Sequence, residues 1–508
     1  MTRFAVATTS QLAAEAASEV ASLGGNAVDC ALAAALLAIN TQPAVCALAG
    51  SAFITIWAPD NSPVTIDGNV AIPGFGIAEA DRGKGAVPVT LDYGGGITTL
   101  VGPGSVAVPG SLAAIELAWQ RYGCAKWRDL FAPTLRAAEN GFPLPEACRY
   151  YLNYSSDCIF NRSDDGYSAL HKDGGSVRDA GDRIVVPHLA TTLATIAEEG
   201  SRAFYEGDIA QRIVAHVRAG DGMLSSQDLR SYRAIERPSL LIDAGRWQIA
   251  TNPPPAIGGA VLAAMLLACA EPPIAEWNRE SLARLIRVQR AVLGFRRQRL
   301  DLSADVGTAV SSLLENARDG GLLTKWTSAS TVHTSAVDAD GIACAVTASS
   351  GYGSGEMPPG TGLWLNNCLG EIELNRRGLD AGPVGARLPS NMAPSIARRD
   401  GTVLAIGTPG ADRITTALHQ VLVNLLHMNM PLTEAIAHPR LHVDTTGDVE
   451  RLAAEPGLEL PDIDLSIRTF ADLNMYFGGV AAALFDDEAG FQTAADPRRE
   501  GGVAMNDA

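Results

Sequence analysis

Between residues 10 and 40 apolar positions recur at helical spacing, in "SQLAAEAASEVASLGGNAVDCALAAALLAIN". The pattern predicts two helices. Gly24-Gly25 ends the first and Asn26 caps the second. The period then drops to two in "AGSAFITIWAPDNSPVTID", which predicts two strands around a turn at Asp60–Pro63. Helical spacing returns over 111–141 and over much of 185–235. In "NPPPAIGGAVLAAMLLACA" three prolines stiffen a loop that feeds an apolar helix, and Gly258-Gly259 allows close backbone approach. A basic helical stretch over 280–325 ends at Gly320-Gly321. Two strands follow, 331–338 and 342–349, around Ala339-Asp340-Gly341. A glycine-rich loop comes next. The last third reads as α/β, with "VLAIGTPGADRITTALHQVL" as strand, tight turn and helix.

The chain has 508 residues, 47% hydrophobic, without internal repeats or low-complexity linkers. That length suits two to four domains or one large α/β unit. A formal charge of −17 leaves no cation excess to displace phosphate counterions, so nucleic acid is not an expected partner. The longest apolar run, Ala31–Ile39, is too short for a membrane span of ~20 residues and reads as a buried helix. The start lacks an apolar targeting segment. Eight scattered cysteines without a CxxC pair, most of them in apolar surroundings as core thiols, suggest a reduced, cytoplasmic protein.

G-x-S-x-G, S-x-x-K, H-E-x-x-H and P-loop patterns are all absent. His438 and His442 have i, i+4 spacing, but Pro439 lies between them and no acid stands at a useful offset. They read as structural, and neither a metal nor a cofactor is expected. The hairpin is more informative. A three-residue loop pairs Thr331 with Ser349 and His333 with Thr347; a two-residue turn would pair Thr331 with Ser350. Either register sets a hydroxyl beside Thr331. On these residues alone the plainer reading, a polar edge of Ser and Thr paired across strands, takes precedence. A Thr hydroxyl is a weak nucleophile. One recurring solution makes Thr the first residue of a chain, so that its own α-amine serves as base.

Nine blocks in order carry a resemblance over nearly the whole chain. They are "LGGNAVDCALAAALLAIN", "GPGSVAVPGSLAAIELAWQRYG" with "APTLRAAENGFPL", "AFYEGDIAQRIV" with "SSQDLRSYRAIERP", "NPPPAIGG", "STVHTSAVDADG", "YGSGEMPPGTGLWLNNCLGEIE", "LPSNMAPSI", "GTPGADRI" and "HPRLHVD". The chain resembles the γ-glutamyltransferase family of N-terminal-nucleophile hydrolases. The resemblance implies an α+β fold, a four-layer αββα sandwich, and maturation by self-cleavage. It puts the nucleophile at Thr331 and the cut between Ser330 and Thr331. Residues 1–330 would form the large subunit and 331–508 the small one, together one αββα unit. Partners would then be a small acyl or amide substrate and the chain's own cleaved half. The second hydroxyl of the family falls on Ser349, and its backbone oxyanion turn on Gly410-Ala411. His333 follows in the nucleophile motif.

The substrate shell departs from the family. The Arg that holds the glutamate α-carboxylate falls on Asn69. Losing one partner of such a buried pair costs ~2–5 kcal/mol, roughly 30-fold to several thousand-fold in affinity. The Asp that grips the α-amine becomes Glu371, and its Gln neighbour becomes Cys368. The Ser-Ser pair becomes Ser390-Asn391, and the Asn after the second hydroxyl becomes Gly351. Arg376, Arg377 and Arg387 are the nearby cations that could replace the missing Arg. The expected reaction is acyl transfer through an acyl-enzyme on a small substrate other than glutathione. Related branches include β-lactam acylases, amidohydrolases of small α-keto acid amides, and pathway enzymes that cleave a carbon–carbon bond in alkylproline synthesis. A true γ-glutamyl enzyme and a binding protein on a dead hydrolase fold are the other readings, and Thr331, Ser349 and Gly410 together oppose the latter.

Overall fold

The structure is a computed structural model that describes residues 2–92, 96–319, 331–379, 382–444 and 450–507. Ser330 and the Gly320-Gly321 helix end lie outside the described residues.

Two antiparallel sheets form the centre. The first has seven strands, in the order Gly502–Asn506, Phe4–Thr8, Val332–Asp338, Ala343–Ser349, Ser51–Trp57, Val64–Gly68 and Ile235–Pro238. The second has six, in the order Gly490–Ala495, Ala481–Asp486, Thr402–Gly407, Ser395–Arg399, Trp247–Thr251 and Leu240–Ala244. Their facing surfaces pack through Ala5, Trp57, Ala250, Val337, Ala345, Ile396, Ala405 and Phe491. Helices Gln11–Ser22, Ala27–Thr41 and Ser111–Tyr122 cover the outer face of the first sheet. Gly258–Ala268 and Arg413–Leu426 cover the second. The result is an αββα sandwich, as expected.

Local signals explain the early elements. Asn26 makes a reciprocal capping box with Asp29, and the following helix is buried throughout. The hairpin has the three-residue register: Val332 pairs with Ala348 and His333 with Thr347. Gly341, at φ +75°, closes the turn by donating its N–H to Asp338 O. The Asp338 carboxylate accepts from the Asp340 and Ile342 N–H groups, and from Ala27 N–H at the start of the second helix. Strand alternation sends Thr331, His333, Ser335 and Val337 toward the second sheet, and Val332 and Ala336 into the helical layer. The hydroxyl-rich face is therefore buried between sheets and is not a solvent edge.

The basic stretch departs from one continuous helix. It runs as a helix over Arg279–Phe295, a π-helical turn over Arg296–Leu300, and a second helix over Val306–Asp319. The wider turn closes with Asp301 N–H donating to Arg296 O. The buried Arg296 side chain is tied to Asp301 and Asp412, which holds the helix at that point.

Candidate active site

At the open end of the hairpin a small pocket lies between the sheets. Thr331 and Ser349 line it from the first sheet. Ser349 Oγ accepts from Gly351 N–H at 3.2 Å, and Ser51 Oγ, also in the wall, donates to Ser349 O at 2.9 Å. Ala411 and Ile414 line the opposite side, beyond the Thr402–Gly407 strand. The turn there is unusual. Gly410 has φ +131° and Ala411 has φ +65°. A Cβ on Gly410 would stand 2.9 Å from Gly478 Cα, so only glycine fits. Ala411 holds a left-handed conformation that is strained by about 1–2 kcal/mol. Among the described residues neither the Gly410 nor the Ala411 N–H makes a hydrogen bond.

Asn69, Cys368, Glu371, Ser390 and Asn391 complete the pocket with Val70, Leu374, Pro389 and Met392. Among these lining residues there is no Lys or Arg. Asn69 Nδ2 donates to Leu388 O at 2.6 Å, and its backbone N–H donates to Asp67. Arg387 stacks 4.2 Å from the Tyr232 ring and donates to Arg233 O. Arg376 donates to Arg297 O at the surface, and Arg377 is exposed. None of the three reaches the wall. Burial, with Glu373 and Asp412 nearby, pushes the Glu371 carboxyl well above the usual range. Burial and Glu371 likewise raise the Cys368 thiol, which makes it a poor nucleophile. Gly351 lies just outside the wall, against Glu371.

The structure does not bring His333 to the pocket. Its ring is buried against Gly407 of the second sheet, with Nδ1 2.8 Å from Thr347 Oγ1 and Nε2 2.8 Å from Ser335 Oγ. Burial drops its pKa to about 3, so it stays neutral and is a poor base. A Cβ on residue 407 would collide with the ring, which seats the strands at this height.

Sequence reasoning passed over the layer behind Asn391. Asp412 opens the Arg413–Leu426 helix, yet its side chain does not cap it. Asp412 Oδ1 accepts instead from Arg296 Nη1 at 2.7 Å and from Asn391 Nδ2. Arg296 Nε donates to Asp301 at 3.1 Å. Burial opposes the Arg296 charge, but the two carboxylates outweigh it and hold its pKa above the ordinary value. Burial lifts Asp412 to about 6, against the pull of Arg296. Asp412 could have been found beside the Gly410-Ala411 turn. Arg296, 116 residues earlier, leaves no local signal.

The sequence profile of gamma-glutamyltranspeptidase matches residues 13–506. The chain belongs to the gamma-glutamyltranspeptidase family. A glutathione hydrolase proenzyme of Pseudomonas aeruginosa is 29% identical, over 98% of this chain and 93% of that protein. A Pseudomonas acylase, the ACY 1 proenzyme, is 28% identical over 86% of this chain and 82% of its own length. The crystal structure of a cephalosporin acylase from Bacillus halodurans superposes with a TM-score of 0.82 at 22% identity, covering 100% and 96% of the two chains. The fold is that of the N-terminal-nucleophile hydrolases, and the chain is an enzyme of this gamma-glutamyltranspeptidase family. No helix among the described residues is long and apolar enough to cross a membrane.

Proposed function

We propose that this family member cuts itself before Thr331 and then works as an N-terminal-threonine acyl hydrolase or transferase on a small amide that is not a γ-glutamyl amide. The observation that carries the reading is one pocket lined by Thr331, Ser349 and Ala411 but by no cation, with Asn69 turned to Leu388 O.

In processing, Thr331 Oγ1 attacks the Ser330 carbonyl. The peptide C–N bond breaks, an ester forms, and water then hydrolyses it. The freed α-amine, with a reference pKa near 8, takes the Oγ1 proton in the next cycle. Oγ1 attacks the substrate carbonyl while the Gly410 and Ala411 N–H groups receive the oxyanion. The leaving amine departs with the proton. Water or a second amine then takes the acyl group from Thr331. Residues 1–330 and 331–508 stay together because the Val332–Asp338 strand lies between Phe4–Thr8 and Ala343–Ser349 in one sheet.

A γ-glutamyl group carries an α-carboxylate that needs a cation. The glutathione hydrolases among the relatives favour a γ-glutamyl substrate, but the neutral wall near Asn69 opposes it. Steady-state kinetics with a γ-glutamyl anilide test the point. Turnover should be poor, and Asn69→Arg with Glu371→Asp should raise it at least several-fold. Efficient γ-glutamyl release by the natural protein would contradict the reading.

A further inference from the structure

Among the described residues three buried polar atoms at or behind the pocket wall have no partner: Asn391 Oδ1, Asp412 Oδ2 and Arg296 Nη2. Natural proteins rarely leave such atoms orphaned without a functional or hydration role. They belong to one chain of contacts, Arg296 to Asp412 to Asn391, and only Asn391 reaches the wall. Two further features mark it. Arg296 opens a π-helical turn, a form concentrated at functional sites. Asp412 forgoes helix capping to make these bonds.

The chemistry of Asn391 follows from its neighbour. An ionised Asp412 is an acceptor only, so it holds the Asn391 amide by its NH₂ group. The carboxamide oxygen is left over. Asn391 therefore brings one unpaired acceptor, Oδ1, to a wall without Lys or Arg.

We propose that the Arg296–Asp412 pair positions Asn391 so that the acyl pocket selects a group whose far end bears an amine and rejects one that ends in a carboxylate. This rests on the acyl-hydrolase reading above and names its substrate class. Asp412 and Arg296 act through Asn391 and touch no substrate.

The test is calorimetric titration of the purified, matured protein with three acids that mimic the acyl product: 4-aminobutyrate, glutarate and butyrate. A charge-assisted hydrogen bond gained at Asn391 Oδ1, against a carboxylate facing that acceptor, predicts at least ~10-fold tighter binding of 4-aminobutyrate than of glutarate. Asp412→Asn frees the Asn391 amide to turn and should shrink the preference to within ~3-fold. Asn391→Ser, which removes the carboxamide without touching the ion pair, should do the same and decides alone if Asp412→Asn fails to melt cooperatively. The inference is overturned if 4-aminobutyrate does not bind, if glutarate binds as tightly, or if the preference survives the folded variants. The readout needs no turnover. If Thr331 proves not to be the nucleophile, the amine preference still stands or falls by itself; if Thr331 is the nucleophile and the preference is absent, this inference alone fails.

Discussion

The Glu371 carboxyl occupies the space that a side chain at position 351 would need. A Cβ on Gly351 would stand 2.9 Å from Glu371 Cδ and 2.3 Å from Asn367 Oδ1. Gly351 also has φ +65°. The two positions therefore share one space. Gly351→Ala should destabilise the protein by roughly 1–3 kcal/mol, through left-handed strain and the clash. Glu371→Asp should recover part of that loss when the two are combined. A double-mutant cycle of melting temperatures checks it, and strict additivity would show that the residues are independent.

Ser349 shares the pocket with Thr331. If its hydroxyl orients the nucleophile, the interaction matters most in the transition state. Ser349→Ala should then lower kcat by roughly 10- to 100-fold and change KM by much less. An unchanged kcat would remove Ser349 from the mechanism.

Ala411 sits at φ +65° in the proposed oxyanion turn. Ala411→Gly relieves that conformation and should stabilise the protein by about 1 kcal/mol, read as a higher melting temperature. Both backbone N–H groups remain, so acyl transfer should persist. A fall in stability would mean that the methyl, packed in the wall, contributes more than the strain costs.

Glu373 accepts a 2.6 Å hydrogen bond from Tyr352, and burial pushes its carboxyl up to about 7. A carboxyl whose folded value is raised favours the folded state below its unfolded value near 4.5, and that contribution is lost as pH rises through about 7. Glu373→Gln removes this dependence. The melting temperature of the variant minus that of the natural protein should therefore rise between pH 5 and pH 8. A difference that stays flat or falls would contradict the assignment.

Much of this architecture was legible because short-range rules produced it. The Gly24-Gly25 break, the Asn26 cap and the Gly341 turn are each settled within a few residues; the hairpin register stayed open between a two- and a three-residue loop until the fold showed the latter. Period-two alternation correctly set Thr331, His333 and Ser349 on one face. It could not say how far along the inter-sheet space each lies. That depends on Gly407 of the other sheet, whose missing side chain admits the His333 ring, and so His333 is separated from the pocket. The Arg296–Asp412–Asn391 chain was illegible for the same reason. Its members come from a π-helical turn, a helix start and a loop, and only the folded layers bring them together.

Under the proposed self-cleavage Thr331 becomes a chain terminus. Intact mass and N-terminal sequencing of the purified protein test it most directly. Self-cleavage would give two pieces in place of the 53.0 kDa chain, residues 1–330 and 331–508, with the second beginning at Thr331, and a single uncut chain for Thr331→Ala. A wild-type protein that remains one stable, active chain, or that is cut elsewhere, would contradict it.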